Sequence, residues 1–104
     1  MNFRTTKLFD KQTKKLNKKY RSLKSDLKSF INDFDYIHQS SITIQKNIYK
    51  VRLSNSNKNR GKSAGYRIYY YIQFEDTIYL LTIYDKSEVE MIDENLLIEL
   101  VENI

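Results

Sequence analysis

The chain has 104 residues, a length that predicts one compact domain over residues 1–104. Hydrophobic residues make up 40% of it and charged residues 30%, which excludes a disordered composition and leaves enough apolar material for a modest core. The formal net charge is +5, and the absence of cysteine excludes a disulfide scaffold, a thiolate metal site and a cysteine nucleophile.

The N-terminal third predicts two helices that form a hairpin. Residues 9–20 carry one apolar helical stripe among many lysines, and residues 23–34 carry a second stripe after a short break. A serine at position 22 or 25 is a suitable N-cap for the second helix. An edge strand at residues 2–6 is expected to precede the hairpin.

The rest of the chain predicts strands and one more helix. Residues 48–53 and 66–74 alternate between two faces, and residues 77–84 are apolar on both faces, as in a covered central strand. Residues 54–64 form a polar loop, and the acidic segment 93–104 predicts a short helix. These elements predict an α+β domain: an N-terminal helical hairpin packed on an antiparallel sheet of three to four strands, with a short C-terminal helix.

The longest strongly apolar run is far shorter than the roughly 20 residues of a membrane helix, so we expect no membrane contact and a cytoplasmic location. The single histidine, His38, excludes Ser-His-Asp and multi-histidine metal sites, and we expect it to be an ordinary surface residue. The chain has no phosphate-binding glycine motif, so neither a cofactor nor a metal is expected.

The positive charge is concentrated in the first two thirds of the chain. Residues 1–67 carry 17 Lys and Arg against 4 Asp and Glu, whereas residues 68–104 carry 1 against 9. No carboxylate occurs between Asp35 and Glu75. This interval predicts a polyanionic partner, most commonly nucleic acid, and a solvated basic surface is the open alternative.

Cations and tyrosines from three strands are the remaining candidates for chemistry. If these strands lie side by side, they share one face, and loop cations lie at its rim. The face would carry Lys50, Arg52 and Arg67, the rim Lys58, Arg60 and Lys62, and the end of the third strand Tyr84 and Lys86. Tyr69 and Tyr71 are expected to cover the sheet, with base stacking as the alternative.

Such a group can cleave RNA without histidine or metal. Cleavage needs a base for the 2′-hydroxyl, positive charge on the phosphate and an acid for the leaving oxygen. Arginine, with a pKa above about 12, cannot be the base, so Arg67 is expected to stabilise the phosphate. Close cations lower the pKa of a lysine, which lets it accept and donate a proton. Tyr84 or Lys86 is the expected proton carrier.

Three segments resemble the RelE/ParE superfamily of bacterial toxins, in its HigB-like and RelE-like branch: YKVRL at 49–53, GKSAGYRIYY at 61–70 and LLTIYDKSE at 80–88. The resemblance spans nearly the whole chain and implies a type II toxin that enters the decoding site of the ribosome and cleaves messenger RNA. Carried over residue by residue, it implies that Lys50 and Arg52 contact RNA and that Arg67 holds the scissile phosphate. It also implies that Lys62, Tyr84 and Lys86 complete the catalytic group.

The resemblance also implies partners and leaves alternatives open. The partners would be a cognate antitoxin, often with a helix-turn-helix DNA-binding domain, together with the ribosome and messenger RNA. ParE-like members keep the fold but inhibit DNA gyrase, and a degenerate member would be an inert nucleic-acid-binding module. Gly65 is expected to allow a sharp turn of the backbone into the strand that carries Arg67.

Overall fold

The computed structural model describes residues 1–58, 64–88 and 92–104, and these residues form four helices and five strands. In chain order the elements are β1 (Asn2–Thr5), α1 (Lys7–Lys19), α2 (Leu23–Asn32), α3 (Phe34–His38), β2 (Ile42–Gln45), β3 (Ile48–Leu53), β4 (Tyr66–Gln73), β5 (Thr77–Asp85) and α4 (Glu94–Glu102). The α+β class predicted from the sequence is confirmed. None of the described helices is long and apolar enough to cross a membrane.

The five strands form one sheet in the order β1-β5-β4-β3-β2. Strands β2 to β5 pair antiparallel, whereas β1 runs parallel to β5, so the sheet is mixed and has more strands than expected. The predicted N-terminal edge strand is present as β1. Strand β2 was not predicted separately, because it is four residues long and largely exposed at the other edge, so it lacks a buried alternating pattern.

The two faces of the sheet bury separate cores. One core lies under α1 and α2 and includes Phe9, Phe30 and Tyr70. The other lies under α4 and includes Tyr69 and Leu97. The expected cover on both sides of β5 is confirmed, and Tyr69 covers the sheet as predicted.

Beyond the end of β1, the side chains of Thr6 and Gln12 form hydrogen bonds with the backbone of β5. Thr6 donates its hydroxyl to the carbonyl of Leu81 at 2.7 Å. The side-chain oxygen of Gln12 accepts hydrogen bonds from the Ile83 amide and the Thr82 hydroxyl, each at 2.9 Å. Since unpaired buried backbone groups are costly, these bonds fix α1 on the central part of the sheet.

The second helix is interrupted at Asp33, and α3 returns the chain over the sheet. The His38 ring stacks on Phe34 with 5.5 Å between centroids, and its Nδ1 lies 2.6 Å from the Tyr70 hydroxyl. His38 is half-buried, so its prediction as an ordinary surface residue is wrong. The reason is that α3 carries it back onto β4, a tertiary contact that sequence periodicity does not encode.

The turn between β4 and β5 begins earlier than expected. Phe74 and Glu75 have φ angles of 55° and 66°, a left-handed conformation that ends the strand. Phe74 is therefore 85% exposed, and the strand alternation predicted over residues 66–74 is wrong at this last position.

Asp85, the last residue of β5, is a carboxylate only 1% exposed that joins three segments. Lys58 donates to it at 2.7 Å and the Tyr20 hydroxyl at 2.5 Å, and the Ser87 amide donates at 3.0 Å. Burial raises the pKa of Asp85, but the hydrogen bonds from Lys58, Tyr20 and Ser87 outweigh this effect and lower the pKa to about 2. The end of α1, the loop after β3 and the end of β5 therefore share one buried charge.

Removal of the Lys58 cation is expected to destabilise the hydrogen-bond network around Asp85. Lys58→Met should lower the free energy of unfolding at pH 7 by about 3 kcal/mol, because it removes the cation that is hydrogen-bonded to buried Asp85 and leaves only Lys19 at 4.0 Å. Urea denaturation measures the loss, and Lys46→Met at an exposed position is the control. An equal effect of both substitutions would contradict the role of Lys58.

The Asp85 carboxylate also predicts a pH dependence. Folding lowers its pKa from an ordinary 3.8 to about 2, so ionised Asp85 contributes about 2 kcal/mol above pH 4 that is lost as the pH falls towards 2. Wild type and Asp85→Asn should therefore differ most near pH 7 and least near pH 2 in urea denaturation. A difference that does not change with pH would contradict this assignment.

Candidate nucleic-acid interface

Cations from two strands occupy the face of the sheet under α4. In the β3–β4 register Arg52 lies opposite Arg67 and Lys50 opposite Tyr69, and in the β4–β5 register Arg67 lies opposite Tyr84. Residues opposite each other in an antiparallel pair project to the same face. The shared face expected for Lys50, Arg52 and Arg67 is therefore present in the structure.

Arg52 and Arg67 form a like-charge pair across neighbouring strands. Arg52 is exposed, whereas Arg67 is only 3% exposed and donates to the Tyr66 carbonyl at 3.3 Å. Burial lowers the pKa of Arg67, and the charge of Arg52 lowers it further. Directly opposed like charges repel each other, so this pair concentrates positive charge at one place on the face.

Lys50 lies between these arginines and the aromatic part of the face. Its Nζ is 5.6 Å from the centroid of the Tyr69 ring, within range of a cation–π interaction. Burial lowers the pKa of Lys50, and the charges of Arg67, Arg52 and Lys86 lower it further. Lys86 therefore belongs to the same electrostatic group.

Lys50 joins the candidates for proton transfer. Sequence reasoning favoured Tyr84 or Lys86 as proton carrier and gave Lys50 only an RNA contact, and in the structure burial and the neighbouring cations lower the pKa of Lys50. The signal was available in the alternation of β3, since Lys50 and Arg52 project to one face and β4 adds Arg67 beside them.

Tyr84 is placed on the face but is covered. It is 5% exposed, and its ring stacks on Tyr69 with 6.2 Å between centroids. Burial raises the pKa of the Tyr69 hydroxyl, and the neighbouring Tyr84 adds to the shift. Leu97 of α4 packs in the same cluster, so Tyr84 offers little surface to a ligand while α4 stays in place.

The loop cations are not brought to this face by the described structure. Arg60 and Lys62 lie outside the described residues. Lys58 lies on the hairpin side, where it pairs with Asp85 and its Nζ is 5.4 Å from the centroid of the Tyr20 ring. The expected place of Lys58 at the rim of the face is not observed, because the buried carboxylate holds it elsewhere.

Gly65 positions the start of β4 by close packing. A Cβ atom at this residue would lie 2.1 Å from the carbonyl oxygen of Leu53. The Gly65 carbonyl also accepts from the Lys86 amide at 3.1 Å. The glycine is thus required by the approach of β3, whereas the sequence suggested a sharp turn of the backbone.

The cavities near these cations are small. Lys50 and Arg52 line a groove of about 230 Å³ with Ser40 and Ile42, smaller than the usual pocket for a cofactor. A larger cavity of about 750 Å³ lies elsewhere, between β1, the start of α1 and the end of α4. Within the described ranges, no cluster of three His, Asp or Glu side chains is arranged to hold a metal ion.

Comparison with protein-family models finds no match for the chain. Comparison with curated protein sequences likewise finds no match.

The opposed arginines predict that charge removal stabilises the protein. Arg52→Gln should raise the free energy of unfolding by about 0.2 to 1 kcal/mol at low salt, because it removes repulsion of Arg67. The gain should shrink in high salt, which screens the exposed charge. Urea denaturation at two salt concentrations, with Lys46→Gln as control, checks this; a loss of stability at both concentrations would contradict it.

A methyl group at Gly65 is expected to disturb the register beside Arg67. Gly65→Ala should cost about 1 to 3 kcal/mol, because the Leu53 carbonyl belongs to a paired strand and cannot simply move away. Thermal denaturation measures the effect. The neighbouring substitution Ala64→Gly should cost no more than about 1 kcal/mol, and a larger loss there than at Gly65 would refute the packing argument.

Proposed function

We propose that this chain is the toxin of a type II toxin–antitoxin pair, a ribosome-dependent endoribonuclease that cleaves translated messenger RNA without a metal. The observation that carries the proposal is the opposition of Arg52 to Arg67 on a face that also holds Lys50. This arrangement concentrates positive charge on one face and suits a phosphodiester. The sequence resemblance to RelE/ParE toxins supports the same function and a RelE-like layout of hairpin, sheet and C-terminal helix.

The proposed reaction is an internal transesterification. The 2′-hydroxyl oxygen attacks the adjacent phosphorus and loses its proton to a base, while the bond from phosphorus to the 5′-oxygen breaks and an acid protonates that oxygen. Arg67 would stabilise the charge that develops on the phosphate. Lys50 joins Tyr84 and Lys86 as a candidate proton carrier, because its pKa is lowered by its neighbours.

The proposed function requires access to covered residues. Arg67 and Tyr84 are almost fully buried, whereas Arg52 is exposed and Lys50 is half-buried. RNA would therefore first meet Lys50 and Arg52, and contact with Arg67 would require a shift of the groups that cover it. The expected surroundings are the cytoplasm, with ribosome and messenger RNA as targets and an antitoxin, commonly one with a helix-turn-helix domain, as the inhibitor.

A second candidate function is nucleic-acid binding without cleavage. The burial of Arg67 and Tyr84 favours it, since both residues then support the fold while Lys50 and Arg52 bind phosphates. In that case Arg52→Gln weakens RNA binding, and neither the wild-type protein nor any variant cuts messenger RNA.

Mapping of messenger-RNA 5′ ends after brief induction in bacteria separates these functions. The wild-type chain should produce new ends within translated codons. Arg67→Ala should reduce them at least about 100-fold, the usual cost of losing a group that stabilises transition-state charge. Arg67→Lys, which keeps the charge without the guanidinium fork, should fall between the two.

Control measurements distinguish a loss of cleavage from a loss of folding. Thermal denaturation of purified Arg67→Ala checks that this buried substitution leaves a folded protein, and the exposed Arg52→Gln provides a second test of the face. Lys46→Ala should cut like wild type. Growth arrest with intact messages would replace the nuclease proposal with gyrase inhibition, and no arrest would replace it with the binding module.

A further inference from the structure

The outer surface of the helical hairpin carries a second group of cations. It lies on the opposite side of the sheet from Arg67, since α1 and α2 pack on the other core. Between residues 4 and 28, all of them described, ten Lys and Arg side chains are exposed, and Asp10 is the single exposed carboxylate. Within the described parts of the chain, only Lys19 of these ten forms an ion pair, with Asp85 and Glu88.

The lysines of α1 form a continuous stripe. Lys7, Lys11, Lys14 and Lys18 are spaced by four, three and four residues, which places them on one helical face over about 16 Å of its length. Lys24 and Lys28 repeat the spacing of four on α2. Like charges at these spacings destabilise a helix, so the stripe lowers stability unless a polyanion neutralises it.

A groove between the two helices separates these cations. It has a volume of about 360 Å³, with Lys14 on the α1 wall and Lys24 on the α2 wall. Its floor includes Leu23, which is 1% exposed, and none of the large, well-exposed hydrophobic side chains of the described structure lines it. The groove therefore places cations on both walls, above a narrow apolar floor of Leu23 and the partly buried Leu27.

We propose that the hairpin is a docking surface for the phosphate backbone of double-helical RNA. Lysines along a stripe provide point charges for phosphates and no bidentate reading of bases, so binding is independent of sequence. An acidic amphipathic segment of a protein fits less well, because a segment seated on the narrow apolar floor of the groove would leave Lys7, Lys11 and Lys18, which lie outside the groove, without a partner.

The choice of RNA over DNA rests on the proposed function, which places an RNA strand on the sheet face. The chain then contacts RNA on two sides: the hairpin holds a helix, and Arg67 with its neighbours acts on a separate single strand. Affinity and cleavage are therefore separable in this protein.

Fluorescence anisotropy with a blunt 20-base-pair RNA duplex tests the surface. The wild-type chain should bind with an affinity that falls steeply between 50 and 200 mM salt, as expected for phosphate contacts. Lys14→Glu combined with Lys18→Glu and Lys24→Glu should weaken binding about 100-fold or more and flatten the salt dependence. Lys14→Glu should weaken it more than Lys46→Glu, a matched charge reversal outside the hairpin.

The other outcomes overturn specific parts of the proposal. Equal losses for Lys14→Glu and Lys46→Glu would show that net charge alone governs binding. Tighter binding of a DNA duplex of the same sequence, or of polyglutamate, would overturn the choice of RNA. The melting temperature of the triple variant should be equal to or above that of wild type, so a fall would assign these lysines a structural role.

The 5′-end assay keeps the two proposals distinct. If the triple variant binds duplex RNA normally while the wild type cuts messages, the docking surface is wrong and the nuclease stands. If the wild type cuts nothing but binds duplex RNA through the hairpin, the nuclease is wrong and the surface stands.

Discussion

The ionised carboxylate of Asp85 is the constraint on which the arrangement of this fold depends. A charge that is almost fully buried must be paired and hydrogen-bonded, and Asp85 obtains its partners from the end of α1, from the loop after β3 and from its own turn. These contacts fix where β5 ends. They thereby fix the place of Lys86, whose amide bonds to Gly65 at the start of β4. The basic face is thus assembled from strand ends that a single carboxylate holds in register.

The cations on the two sides of the sheet have different surroundings. Lys58 forms an ion pair with buried Asp85, although it lies in the same carboxylate-free segment of the sequence as Arg52. Arg52 faces solvent beside Lys50 and lies opposite Arg67 in the register. The contrast with Lys58 shows that the environment of a cation depends on its place in the fold and not on its place in the sequence.

Much of the fold followed from periodicity, because α1, β3, β4 and β5 each bury one or both faces and so carry a clear apolar pattern. Periodicity does not report partners distant in the chain. It missed the parallel pairing of β1 with β5, the burial of His38 against Tyr70 and the capture of Lys58. It placed Lys50, Arg52 and Arg67 correctly on one face, because strand alternation alone determines that. It could not foresee the cover over Tyr84, which depends on how α4 lies on the sheet.

The pairing of β1 with β5 determines when the sheet can be completed during synthesis of the chain. Asn2 pairs with Thr77, so the first strand leaves the ribosome long before its partner is made and has no place in a sheet until then. The hairpin depends on contacts between segments close in sequence, which form without the sheet strands, whereas β5 is the last strand in the chain and lies between β1 and β4. The cations of β3 and β4 therefore acquire their neighbour Tyr84 only after β5 has been synthesised. A nascent chain therefore carries the basic helices early and gains the assembled face late.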